Sequence, residues 1–120
     1  MAATQRVICD SAALEDGGRG IRFTVEHAGG AAAAFAVRYD TFVYAYLNSC
    51  AHVPIELDWL EGEFFDQSGL YLICATHGAT YEPSTGQCIM GPCKGQRLIP
   101  LKVEERGGKV YLLEGDNKHG

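Results

Sequence analysis

Leu70-Tyr71-Leu72-Ile73-Cys74-Ala75-Thr76-His77-Gly78-Ala79-Thr80-Tyr81 is the stretch on which the reading of this chain turns. A short apolar run, residues 70–73, enters a box that holds one thiol and one imidazole. Residues 79–81 then leave it as a second short run of strand-forming character, so a strand, a tight loop and a strand are expected. Gly78 directly follows His77 and has no side chain, which lets the backbone approach a ligand atom closely and donate N–H bonds to it. A related box lies upstream, Cys50-Ala51-His52, after the aromatic and β-branched run Phe42-Val43-Tyr44-Ala45-Tyr46. Each box therefore begins where a strand ends. Each offers one soft thiolate and one imidazole, ligand types suited to zinc or to iron–sulfur iron. Cys-x-His is too tight for the knuckle of a zinc finger. It suits a cluster in which each loop gives its Cys to one iron and its His to the other, two thiolates keeping the first iron ferric and two neutral imidazoles making the second the electron acceptor.

Outside the boxes the pattern is that of antiparallel strands. Ile21, Phe23 and Val25 alternate with Arg22, Thr24 and Glu26, a period of two. His27-Ala28-Gly29-Gly30 supplies a turn, and Phe35, Val37 and Tyr39 alternate with Ala34, Ala36 and Arg38. The alanine run at 31–34 favours helix by propensity, but it is too short and too near two glycines to prevail. Asp40-Thr41 turns the chain into the aromatic run. Pro83-Ser84-Thr85-Gly86 is a turn by composition. Ile99, Leu101 and Val103 alternate with Pro100, Lys102 and Glu104 as one strand, and Arg106-Gly107-Gly108 leads into a return strand at 109–113. Residues 50–93 differ: they hold three of the four prolines, the only Trp and four of the five Cys. The expectation is an all-β antiparallel domain carrying a loop-rich insertion, with no helix of three turns.

Composition narrows the function. With 120 residues, 47% hydrophobic and 21% charged, the chain matches a single soluble globular domain. No apolar run approaches the ~20 residues that span a bilayer, and no apolar signal core follows Met1. Ten Lys and Arg against fifteen Asp and Glu leave a formal charge of -5 and no basic face for nucleic acid. Five cysteines, Cys9, Cys50, Cys74, Cys88 and Cys93, are an odd number and too few for a disulfide scaffold. A reducing, cytoplasmic setting is expected, where clustered Cys and His read as a metal site.

The pattern C-x-H followed by C-x-x-H-G, here Cys50, His52, Cys74, His77 and Gly78, resembles the Rieske [2Fe–2S] ferredoxin family. The ferredoxin components of aromatic-ring dioxygenase systems are the most similar type. Asn48 before the first box, Ala79-Thr80-Tyr81, Thr85-Gly86 and Gly91-Pro92 after the second, and the strand 98–103 with its closing hairpin extend the resemblance over roughly residues 5–113. It implies an antiparallel Rieske-type β-sandwich with a small loop-rich cluster-binding subdomain. The whole of 1–120 would be one Rieske domain: a cluster-binding part at about 48–93, a basal β part at about 5–47 and 94–113, and a tail at 114–120. Cys50, His52, Cys74 and His77 would bind one Rieske-type [2Fe–2S] cluster, and Gly91-Pro92 would form a proline loop over it.

Departures from the family pattern carry expectations of their own. The spacer from 53 to 73 is longer than is usual in ferredoxin-type members. Respiratory-complex Rieske proteins have an extra Cys in each box, joined as a disulfide, and neither is present here. Those proteins also place a Ser where this chain has Ala79, although Tyr81 stands at the position of their hydrogen-bonding Tyr. Fewer donors to the cluster imply a midpoint in the lower half of the Rieske range, about -150 to +300 mV.

Other residues invite plainer readings. Cys88 and Cys93 read as small apolar residues packed around the proline loop, with a disulfide between them as the alternative. Cys9 reads as a strand residue, and His27 and His119 as solvated side chains. Glu56, Asp58, Glu61, Glu63 and Asp66 lie in a spacer without Lys or Arg, an acidic edge that could steer a basic partner. Trp59, Phe64 and Phe65 read as local core. No nucleophile–base pair, phosphate loop or carboxylate pair suggests catalysis, so an electron-transfer protein is expected rather than an enzyme. By resemblance, a monomer would take single electrons from a flavin-dependent reductase and pass them to a terminal oxygenase, with no nucleic acid or membrane partner. The rivals are a non-catalytic subunit of a larger oxidoreductase, such as the small subunit of nitrite reductase, and a structural zinc module.

Overall fold

A half-buried strand hides every second residue, yet Ala34, Phe35, Ala36 and Val37 are all fully shielded. The computed structural model describes residues 4–50, 55–58, 60–75, 78–93 and 95–114. In it ten strands form three antiparallel sheets. The first sheet joins β1 (Thr4–Asp10), β10 (Lys109–Glu114) and β9 (Val103–Arg106). The second runs β2 (Ile21–His27), β3 (Gly30–Tyr39), β4 (Phe42–Leu47) and β8 (Pro100–Leu101). A small third sheet is built from β5 (Leu72–Ile73), β6 (Thr80–Tyr81) and β7 (Cys88–Met90). One 3-10 turn, Ser11–Ala13, is the only helical element among the described residues.

The middle sheet is covered on both sides, which explains the buried run. Ala34, Ala36, Ala45 and Leu47 face β1, β9 and β10, where Val110 and Leu112 complete a sandwich core. Phe35, Val37, Tyr44 and Tyr46 face the other way, onto Leu57, Phe64, Leu72, Tyr81 and Leu98. The ring of Phe35 stacks on Phe64 at 4.0 Å between centroids. Alanines on one face of β3 thus let the first sheet approach closely, while large side chains on the other carry the boxes. The alanine run at 31–34 is strand, as expected.

Turn chemistry sets the hairpins. Ala28 and Gly29 between β2 and β3, Asp40 and Thr41 between β3 and β4, and Gly107 and Gly108 between β9 and β10 all have positive φ. Such turns match the twist of the strands they join. Thr41 at φ +72° is unusual for a β-branched residue. The Asp16 carboxylate holds it there by accepting from the Asp40 and Thr41 amides at 2.8 and 2.6 Å.

Two expectations need correction, and one strand is new. The strand foreseen at 99–104 is broken at Lys102: Leu101 pairs with β4, whereas Val103 pairs with β10, so the chain changes sheets there. A fold corner leaves the side-chain alternation intact, so periodicity could not reveal it. The strands flanking the second box are shorter than residues 70–73 and 79–81, and Leu70 and Tyr71 are exposed. β7 was not foreseen, because its pair Ile89 and Met90 points largely into solvent. No helix among the described residues is long and apolar enough to cross a membrane.

Candidate metal centre

The first box follows β4. Asn48, buried at the end of that strand, donates its amide to Ala33 O at 2.8 Å. Its side chain reaches into the spacer: Oδ1 accepts from Leu57 N at 2.8 Å, and Nδ2 donates to Asp58 Oδ1 at 3.0 Å. Cys50 is buried, and its amide donates to Ile55 O at 2.7 Å, closing the loop that contains the box. The second box extends the β5–β6 hairpin by one further pair. Cys74 N donates to Ala79 O at 2.8 Å, and Gly78 N to Cys74 O at 2.9 Å. Gly78 has φ +73°, a conformation that suits a residue without Cβ. Cys74 is fully buried.

Two links join the boxes. Ala75 N donates to Leu57 O at 3.1 Å, so the second box rests on the spacer that Asn48 holds. The Tyr81 hydroxyl lies 3.2 Å from Cys50 Sγ, reaching from the second hairpin to the first sulfur. With a thiolate at Cys50 the phenol is the donor. Two buried sulfurs on neighbouring loops, one with a hydroxyl donor and the other beside a glycine turn, fit a soft metal centre. His52 and His77 lie outside the described residues, as do Trp59 and His119. Among the described residues no group of three or more His, Cys, Asp or Glu side chains is placed to hold a metal ion.

The match to a protein-family model decides what the two boxes belong to. Residues 4–110 match the model of the Rieske [2Fe-2S] domain. The chain belongs to that family. As a Rieske domain it carries a Rieske-type [2Fe–2S] cluster as its cofactor. No curated protein sequence matches it. Solved structures share its fold. The ferredoxin of carbazole 1,9a-dioxygenase from Nocardioides aromaticivorans IC177 superposes with a TM-score of 0.69 at 21% identity, covering 93% of this chain and 99% of that one. A chain of the complex of reduced oxygenase and oxidized ferredoxin in carbazole 1,9a-dioxygenase gives 0.69 at 24% identity, covering 91% and 92%. The terminal oxygenase of carbazole 1,9a-dioxygenase from Novosphingobium sp. KA1 also gives 0.69 at 24%, covering 93% of this chain but 30% of that one.

Around the boxes of this Rieske domain the structure revises two readings. Cys88 and Cys93 are joined as a disulfide, with Cα atoms 5.7 Å apart, rather than packed as separate apolar thiols. Five residues of separation allowed either outcome, and composition alone could not choose. The acidic edge is also smaller than it looked. Asp58 is buried, accepting from Asn48 Nδ2 and from Gly62 N at 2.9 Å, with Arg22 Nε at 3.5 Å. Arg22 also pairs with Glu56. Desolvation works against the Arg22 charge, yet Asp58 and Glu56 hold its pKa above the ordinary value. Glu61 and Glu63 remain exposed. The only clue to this network was Asn48 beside Cys50; Asp58 was hidden in a run of like charges.

A second buried contact supports the far side of the boxes. Tyr46 donates its hydroxyl to Pro83 O at 2.7 Å, and burial pushes that phenol well above its ordinary pKa. Gly86 lies beneath the ring, where a Cβ would come within 2.7 Å of Tyr46. Gly91 is equally confined: a Cβ there would meet Ala79 Cα at 3.0 Å. The proline loop therefore lies directly on the second box.

Proposed function

We propose that this chain is a Rieske-type ferredoxin, a one-electron carrier and not itself an enzyme, in which Cys50 and Cys74 bind one iron while His52 and His77 bind the other. The observation that carries the reading is the pair of buried cysteines on two loops tied through Ala75 and Leu57, with the Tyr81 hydroxyl on Cys50 Sγ. When bound, the cluster takes up and gives up one electron at a time. The chain's own residues do the rest. Asn48 and Asp58 fix the spacer, the β5–β6 hairpin presents the second box, and residues 88–93 cover it. Residues 48–93 act as the cluster-binding part, and residues 5–47 with 94–113 as its base.

The likeness to the ferredoxin of a carbazole dioxygenase, over nearly its whole length, supports a place between a flavin-dependent reductase and a terminal oxygenase. A monomer in the cytoplasm suits that role. Glu61 and Glu63 are exposed members of the acidic edge and the groups proposed to steer a basic partner, since Asp58 and Glu56 are engaged with Arg22. Charge reversal at both should flatten the salt dependence of electron transfer; an unchanged dependence removes them from docking. Iron and sulfide analysis with a visible spectrum tests the centre itself. Equal iron and labile sulfide in a coloured protein is expected, and a colourless zinc protein would overturn the reading.

A further inference from the structure

The Cys88–Cys93 disulfide closes the proline loop at a place where two routes lead to the boxes. Cys88 sits opposite Tyr81 in the β6–β7 register, and the Tyr81 hydroxyl rests on Cys50 Sγ. Gly91, at φ +98°, packs against Ala79 and Gly78 of the second box. The bond is not needed to close the loop. Cys88 N donates to Gln96 O at 2.9 Å, and Gln96 N to Cys93 O at 2.8 Å, so backbone bonds already hold its base. Nor does a crosslink over so short a segment gain much by restricting the unfolded chain, since that effect grows with loop length. What the bond restrains is the tip. That tip is open to a reactant: Met90 is 64% exposed, and Ile89, Gly91 and Pro92 are at the surface. Both cysteines are buried, Cys93 wholly and Cys88 at 8% exposure, so the residual exposure is on Cys88.

We propose that Cys88–Cys93 is a thiol–disulfide exchange site for a dithiol reductant, and that its state sets how closely residues 88–93 cover the second box. One thiolate of the dithiol attacks Cys88 Sγ, the S–S bond breaks, and Cys93 leaves as a thiolate. The second thiol of the reductant then attacks its own sulfur in the mixed disulfide and releases Cys88. Two electrons pass from the dithiol to the bond, its two protons end on Cys88 and Cys93, and the dithiol becomes a cyclic disulfide. A one-electron centre cannot supply both electrons in one transfer, so the bond follows the surrounding dithiol poise. The exchange stands on the geometry of residues 78–93 with Gln96; its effect on the centre rests on the ferredoxin reading above.

The test equilibrates the holo-protein anaerobically with reduced and oxidised dithiothreitol at graded ratios. Thiols are then alkylated and located by mass, and protein-bound iron and labile sulfide are measured in parallel. Cys88 and Cys93 should become alkylatable together in one two-electron step while bound iron and sulfide stay constant. Subtilisin cleavage within residues 88–93 should be about tenfold faster in the reduced form, because local opening becomes cheaper. The double variant C88A/C93A should be cleaved at that faster rate whatever the dithiol ratio. Alkylation that begins only as bound iron is lost would overturn the exchange site. Equal cleavage of both forms would overturn its control of the loop. A preparation without iron would defeat the ferredoxin reading yet leave the thiol titration readable.

Discussion

Tyr81 and Asp58 are the side chains on which the sulfur-bearing loops depend most directly. Tyr81 Oη, 3.2 Å from Cys50 Sγ, stabilises negative charge on that sulfur. Tyr81→Phe keeps the buried ring and removes only the hydroxyl, so the fold should persist. One such bond is worth about 1 kcal/mol, which for a one-electron couple is a fall of roughly 40 mV in midpoint. Voltammetry of the variant reads this directly, and an unchanged midpoint would remove Tyr81 from the tuning of the centre. Asp58 acts differently, through the backbone. Asp58→Ala leaves Asn48 Nδ2 and Gly62 N without their acceptor and Arg22 without a buried counter-charge. Leaving these two buried donors without an acceptor costs about 3 kcal/mol, to be read as a lowered denaturant midpoint. At this scale the sequence was partly legible. The boxes announced themselves by ligand type, and the structure buries both cysteines. Asp58 did not, since a carboxylate buried by a distant arginine looks in sequence like any member of an acidic run. The Cys88–Cys93 bond was equally hidden, because spacing permits a disulfide without requiring one.

Among the elements, Arg38 on β3 shows how the two large sheets are stitched together. Its guanidinium grips Glu105 of β9 in a fork, at 3.1 and 2.6 Å, and donates to Leu14 O, Ser11 O and Thr41 O. The hydrogen bond from Arg38 holds the Glu105 carboxyl below its ordinary pKa. A carboxyl depressed on folding adds stability above its unfolded pKa, and that stability is lost as pH falls through the folded value. Wild-type protein should therefore lose stability through the acid range in part through Glu105. Glu105→Gln should be less stable at neutral pH and show a shallower acid decline, checked by urea unfolding at several pH values. Parallel acid profiles would exclude this pair as a contributor. The hairpins were readable because glycine and short polar turns mark them, as at Ala28-Gly29 and Gly107-Gly108. The sheet change at Lys102 was not, because residues 99, 101 and 103 alternate as they would in one straight strand. β7 escaped for the opposite reason: its apolar residues face solvent, so no buried period marks it.

On the scale of the molecule, the middle sheet separates two tasks. One face, with Ala34, Ala36 and Ala45, closes a sandwich with Val110 and Leu112. The other, with Phe35, Val37 and Tyr46, supports the loops that hold the sulfurs. A packed base beneath short loops suits a carrier of electrons. The fold class was visible in the period-two pattern and the resemblance; the division of β3 between two cores was not, because both its faces are apolar. The central claim concerns ligand identity: two cysteine sulfurs on one iron and two histidine nitrogens on the other. Pulsed EPR of the dithionite-reduced protein tests it most directly. Nitrogen hyperfine couplings from His52 and His77 are predicted, with one lost in each single histidine variant that retains iron. A reduced cluster without nitrogen coupling would contradict the account.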